Sequence, residues 1–302
     1  RHVLSGSLHG CIHLWYGETF HFDTVTTIRG PAIRCMSWRR MGDFMVCGDD
    51  SGYLCVLGRS LALLNAPDAH DRTPVRSISF CPSDEHFVSC GEDGRVRLWN
   101  FFSATATEED LGKHTMRATS VHYHPVCALV ASGSADSSVR LWDPRTSSFS
   151  PSTTTSKSTS SSTSSSVGVL PFHNQEVTNV EFNRNGYWLA SSSVDQTICI
   201  TDIRMPSEPM CRARVSDELG VPNIFRWHPF HERLLTVGHD SGTMSHWIAG
   251  EAAPAAVVTK AHDKSIHALE WHPLGHVVST GSADMSLKHW GRPRPGDRSD
   301  QY

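Results

Sequence analysis

No apolar run in this chain approaches the roughly 18–20 residues needed to span a bilayer. With 38% hydrophobic and 19% charged residues it is too polar for a membrane protein. No C-x-x-C pair occurs among its nine cysteines, and no H-E-x-x-H or Cys/His ligand spacing accompanies its nineteen histidines. Redox-dithiol and zinc motifs are thereby excluded. Most cysteines sit in apolar runs such as "FMVCGD" and "FVSCGED", where Cys acts as a small buried hydrophobe. A reduced intracellular compartment, cytoplasm or nucleus, is expected. No glycine-rich phosphate loop is present, since "GEDG" and "GSAD" read as turns. No strong charge is present either. The formal net charge is −4, so nucleic-acid binding requires a local patch rather than an overall basic field. The first residue is Arg1, which reads as the start of an excerpt, so the lack of a targeting signal carries no weight.

What is present is repetition. "SGSLHGCIHLW", "CGDDSGYLCVL", "SCGEDGRVRLW", "ASGSADSSVRLW", "SSSVDQTICIT", "VGHDSGTMSHW" and "TGSADMSLKHW" end at residues 15, 57, 99, 142, 201, 247 and 290. The intervals are 42, 42, 43, 59, 46 and 43 residues. Seven copies at about 43 residues is the period of a WD-repeat propeller. The wide interval contains residues 146–167, "TSSFSPSTTTSKSTSSSTSSSV", which cannot bury a core and are expected to be a disordered surface insertion within blade four. Within a unit the apolar period is two, as half-buried strands require. Each unit yields four short antiparallel strands, a to d, with the signature Trp at the end of c.

The expected fold is therefore all-β, a seven-bladed WD-repeat β-propeller over residues 1–290, followed by an Arg/Pro-rich tail at 291–302. The chain enters on a b strand and leaves after a c strand. Strand a of blade one and strand d of blade seven are expected from a segment upstream of residue 1.

Three units carry His, Ser/Thr, Asp and Trp in the same order: His70, Ser89, Asp93, Trp99; His114, Ser132, Asp136, Trp142; and His262, Thr280, Asp284, Trp290. A hydrolase needs such a set once. Repetition points instead to a buried hydrogen-bond network in each blade. Blade five keeps His173, Ser191 and Asp195 but has Thr201 for Trp, and blade two has Leu57. Those two blades are expected to be less rigid. The pair His122 and His124 in "HYHP" is a weak metal signal, and structural histidines are the default. No catalytic residue, metal or cofactor is expected. "WDPR" (142–145) and "TDIR" (201–204) match a tetrapeptide by which some propellers dock on a cullin ubiquitin-ligase adaptor; the simpler reading is a cap on the c–d turn. For RNA, Arg95 and Arg97 lie on strand c of blade three, with Phe101 and Phe102 just past its end. An aromatic at a strand exit near arginines suits base stacking. Phe102 is expected to tuck under the blade as core, and Trp38-Arg39-Arg40 forms a second basic turn, expected to be solvated.

The phrases "WYGETFHFDT", "SFCPSDEHFVSCGEDGRVRLWNF", "WHPFHERLL", "WHPLGH" and "HWGRPRPGD" occur in this order. Together they resemble the polyadenylation-factor WD-repeat family, the propeller subunit of the cleavage and polyadenylation specificity factor. The likeness covers the chain apart from the Ser/Thr insertion. The resemblance implies a nuclear, non-enzymatic scaffold subunit of the machinery that cuts and polyadenylates pre-mRNA. Its implied partners are a large multi-propeller scaffold subunit, a CCCH zinc-finger subunit, and the A/U-rich signal of pre-mRNA. No membrane and no small-molecule substrate are implied. Of two family aromatics that stack on a U–A pair, one matches Phe101 and the other would lie upstream of Arg1. One departure is "GRSLALLNAPDAH", which lacks the lysine the family places between strand c and the histidine. The rival reading is a generic protein-interaction propeller, such as a cullin ubiquitin-ligase substrate receptor.

Overall fold

A computed structural model describes residues 2–16, 21–28, 31–101, 109–147 and 166–291. Phe102, most of the Ser/Thr-rich segment (148–165) and the Arg/Pro tail beyond Gly291 lie outside the described residues. The described residues form seven small antiparallel sheets taken in sequence order, the organisation of a seven-bladed WD-repeat β-propeller. One helical turn, Pro144–Ser147, is the helix found among them. The first sheet has three strands, His2–Gly6, Cys11–Tyr16 and Phe22–Thr27, and the last has Ile266–Trp271, Val277–Ser282 and Leu287–Gly291. In blade four, strand c (Val139–Trp142) is followed across the Ser/Thr segment by a short strand d, Gly168–Leu170, paired with it. The chain divides into two compact units, Arg1–Phe182 and Asn183–Tyr302.

Half-buried alternation fails in the second strand of blades two to six. Val130–Ser134 is buried at every position, and Phe44–Asp49 and His86–Gly91 at all but the first. A strand in the middle of a blade is covered on both faces, so both of its side-chain rows meet protein.

Adjacent blades approach through a size match. A Cβ added at Gly48 would lie 2.7 Å from Val75, and one at Gly133 would lie 2.6 Å from Val177. In the second unit the same relation joins Gly238 and Ile266 at 2.7 Å. Each glycine follows directly on the b-strand position that carries the hydroxyl in the regular blades. Each branched residue opens the next blade's a strand. Where the glycine is Cys90, the facing position is the small Ala118, and the two share one buried cluster. A β-branched side chain is thus received by a residue without one.

The b–c turns share one device. Asp93, Asp136, Asp195 and Asp284 each accept, through Oδ1, the backbone N–H two residues on, at 2.8–3.0 Å. The residue between has positive φ: Gly94, Ser137, Gln196 and Met285. This is an Asx turn, so Asp rather than a longer acid is needed there.

Packing at the glycine contact predicts a strong position effect. Gly133→Val is expected to cost about 1–3 kcal/mol through overpacking against Val177. Gly58→Ala, whose new Cβ would meet only Leu64 at 3.8 Å, is expected to leave thermal unfolding of the full chain nearly unchanged. Equal melting temperatures for the two variants would refute the size match.

Candidate functional site

The repeated polar residues form closed chains of hydrogen bonds. In blade three the Trp99 indole donates to Ser89 Oγ at 2.8 Å, Ser89 Oγ lies 2.8 Å from His70 Nε2, and His70 Nδ1 lies 3.0 Å from Asp93. Blade four repeats this with Trp142 to Ser132 (2.8 Å), Ser132 to His114 Nε2 (2.6 Å) and His114 Nδ1 to Asp136 (3.1 Å). Blade seven repeats it with Trp290 to Thr280 (2.8 Å), Thr280 to His262 Nε2 (2.8 Å) and His262 Nδ1 to Asp284 (2.9 Å).

Donor and acceptor inventories allow one consistent direction. An indole only donates, so the hydroxyl oxygen accepts from it. The hydroxyl then donates its proton to Nε2, and Nδ1–H donates to the carboxylate. Every group is satisfied with a neutral imidazole. The hydroxyls of Ser89, Ser132 and Thr280 have no exposed surface, so no substrate reaches them. Connectivity resembling a hydrolytic triad is here a strut.

Electrostatics follow from burial. Burial alone would raise the Asp93 carboxyl, but the hydrogen bond from His70, with the Arg95 N–H and Arg97, holds it below its ordinary value. Asp136 and Asp284 are likewise depressed against the effect of burial. Hydrogen bonds from Ser138 and Ser286 and the facing histidines do this. Burial lowers His114 in spite of Asp136.

Two blades use other means. In blade six His239 Nε2 lies 2.6 Å from Ser245 Oγ, which accepts the Trp247 indole at 2.7 Å. The histidine has moved onto strand b and the hydroxyl onto strand c. Burial pushes His239 down to about 4. Neither residue was singled out from the sequence, because the spacing differs from the other repeats. In blade two every polar position has become apolar or small. Ile28, Cys47, Ser51 and Leu57 each stand 42 residues before His70, Ser89, Asp93 and Trp99. The Ile28 N–H donates to the Gly10 carbonyl as the His70 N–H does to Gly52, so the equivalence is structural. Ile28, Cys47 and Leu57 pack into one buried cluster with Met45 and Leu61. Removing all partners together leaves no orphaned polar group.

The residues at the edge of blade three are distributed differently from their sequence neighbourhood. Phe101 is half-buried, 5.3 Å from the Phe44 ring and 6.1 Å from Phe80, with the Arg39 guanidinium 5.2 Å from its centroid. Arg95 lies at the opposite end of strand Arg95–Asn100 and pairs with Asp110. Six residues of extended chain, roughly 20 Å, separate the two ends. Arg97 is 4% exposed; its guanidinium donates to the Ala69 carbonyl and to Asp71, and Asp93 is 3.8 Å away. The strand thus sends Arg95 and Arg97 away from Phe101. The cation beside the ring, Arg39, comes from the basic turn of blade two, a long-range contact with no signal in local spacing.

In "WDPR" the Arg145 guanidinium returns to Asp143 through two bonds of 3.0 and 2.8 Å, and in "TDIR" Arg204 returns to Asp202 through two of 2.9 and 2.5 Å. Arg204 also lies 4.1 Å from the Tyr187 ring centroid. Each arginine caps its own turn. His122 and His124 flank the Phe182 ring, and His124 Nδ1 accepts the N–H groups of Val126 and Cys127. No cluster able to hold a metal occurs among the described residues.

Comparison with known proteins adds family relationships. The family described as Nucleolar protein 10-like, N-terminal domain, matches residues 72–257, and a WD domain, G-beta repeat, matches residues 255–291. Polyadenylation factor subunit 2 of Candida albicans is 28% identical over 98% of this chain and 56% of that protein. The protein of that name from Gibberella zeae is 31% identical over 98% of this chain and 49% of its own length. That from Neurospora crassa is 28% identical over 100% and 47%. The chain spans about half the length of the curated relatives it matches.

Two outcomes follow from these networks. Ser132→Ala strands the Trp142 N–H and His114 Nε2, and is expected to cost about 1–3 kcal/mol per unsatisfied group in chemical denaturation. The histidines that burial depresses bind protons more readily when unfolded, so their stabilisation is complete above their ordinary pKa and is lost as pH falls through the folded value. For His239 that window runs from about 6.5 down to about 4 and is worth on the order of 3 kcal/mol. Asp93, Asp136 and Asp284, also depressed, add a second loss below the ordinary carboxylate range. Melting temperature is therefore expected to fall in two stages on acidification, and a flat profile between pH 7 and 4 would contradict the first.

Proposed function

The chain belongs to the β-propeller family described as Nucleolar protein 10-like, N-terminal domain, and on that footing we propose that it acts in the polyadenylation of mRNA. The observation that carries this is homology over 98–100% of its length to Polyadenylation factor subunit 2 proteins from three fungi. In this reading it is a nuclear, non-catalytic scaffold subunit that helps recognise the A/U-rich signal of pre-mRNA. Its protein partners are a multi-propeller scaffold and a CCCH zinc-finger subunit.

Phe101 is the RNA contact of the proposal. Its ring stands at the strand exit, steadied by Phe44 and Phe80, with the Arg39 guanidinium, itself paired with Asp43, beside it. Arg97 takes a positioning role in this scheme, because its guanidinium is spent inside the blade. Arg95, paired with Asp110 at the far end of the strand, takes no part in the base contact.

A stacked base is worth about 1–3 kcal/mol, so Phe101→Ala is expected to weaken binding of the assembled complex to A/U-rich RNA by roughly 5- to 150-fold. Unchanged affinity would remove Phe101 from the site. Affinity purification of the tagged full chain tests the wider reading. Polyadenylation subunits are the expected companions, and a cullin adaptor dominating the bait would replace this proposal with the ligase one.

A further inference from the structure

Blade two lacks more than the polar chain. In three other blades the middle of strand c carries a long cation that reaches the loop entering the blade. Arg97 donates to the Ala69 carbonyl, Arg140 to the Lys113 carbonyl at 3.2 Å, and Lys288 to the Ala261 carbonyl at 2.7 Å. The matching position in blade two, 42 residues before Arg97, is Cys55. A thiol cannot span that distance, and Leu57 is smaller than the Trp it replaces. A cavity of about 750 Å³ lies there, lined by Thr27, Ile28, Asp49, Cys55, Leu57 and Leu63 among others. Its size falls in the range of ligand sites.

The chemistry of the cavity is that of the missing side chain. Thr27 stands where Ala69 stands in blade three, 42 residues on, and so contributes the equivalent carbonyl position. Asp49 is the charged group among the described lining residues. Its Oδ1 accepts the N–H groups of Ser51 at 2.8 Å and Tyr53 at 3.0 Å. Burial raises its carboxyl above the ordinary value, opposed by those bonds. A cation brought alongside offsets that cost. The walls, Ile28, Leu57 and Leu61, suit the methylenes of a long basic side chain. At the mouth Ala62, Leu63 and Ala66 are exposed, with Leu63 at 52%. An apolar rim of this kind gives residues flanking the cation a surface to lie on, which a free small molecule does not need.

We infer that the blade-two cavity receives an arginine side chain, flanked by apolar residues, from a segment of a partner protein. The guanidinium enters where Arg97 and Arg140 lie in blades three and four. It donates toward Asp49 and the carbonyl at the loop, replacing internally supplied cations by one from outside. The site is separate from the Phe101 edge and does not depend on the RNA reading.

The test uses the full chain and a fluorescein-labelled peptide, Gly-Leu-Arg-Leu-Gly, with anisotropy as the readout. Binding is expected, weakened by about tenfold or more when citrulline, equal in shape but neutral, replaces the arginine. Cys55→Arg supplies the sibling residue from within and is expected to abolish binding while the chain still melts cooperatively. Ala66→Trp, an exposed change that covers the mouth, is expected to do the same and serves if Cys55→Arg fails to fold. Failure of the peptide to bind, equal binding of the citrulline peptide, or full binding by Ala66→Trp would each overturn the inference. Free arginine binding as tightly as the peptide would overturn the assignment to a protein segment.

Discussion

A single buried hydroxyl holds each of the regular blades together. It accepts the indole N–H from strand c and donates to an imidazole carried by the loop that enters the blade, so strands b and c and that loop meet at one oxygen. The imidazole's other nitrogen reaches the aspartate of the b–c turn, and that aspartate shapes the turn through its N–H acceptance. Turn geometry, strand pairing and loop placement are therefore coupled. The coupling is strong because the groups are dry: a partner lost in the interior leaves a polar atom with no water to replace it.

The same logic explains why blade two abandons the network whole. Changing one member strands the rest, whereas changing four to Ile28, Cys47, Ser51 and Leu57 trades a polar core for an apolar one without orphans. What such a trade does not conserve is volume. Small residues replace a tryptophan and an arginine, and the space appears as a cavity beside Asp49. Blade six shows a third solution, with the histidine and hydroxyl shifted to neighbouring strands while the indole bond persists.

Much of this was legible in the chain because a repeat compares the sequence with itself. The seven sheets, the a-to-d order and the membership of the His70, His114 and His262 sets follow from period and position alone. Other features carried no such signal. The burial of whole b strands, the pairing of Gly48 with Val75, and the approach of Arg39 to Phe101 join residues on different blades, and local spacing is blind to such contacts. Arg95, Arg97 and Phe101 look like one cluster when written in a line. An extended strand turns successive side chains to opposite faces and moves its ends far apart, so proximity in sequence was the wrong guide there. The arginines of "WDPR" and "TDIR" likewise needed coordinates to be seen folded back on their own aspartates.

The architecture is written in the repeat, since a period of about 43 residues with Trp, hydroxyl, His and Asp at constant offsets admits one kind of unit. The sequence likewise holds no glycine-rich phosphate loop and no spaced metal ligands. What each polar group does comes from folding in three dimensions. Function at a surface depends on which side chains from separate blades converge, and on whether a guanidinium such as Arg97 is spent inside or left for a partner. Those are matters of distance and burial, and no periodicity encodes them.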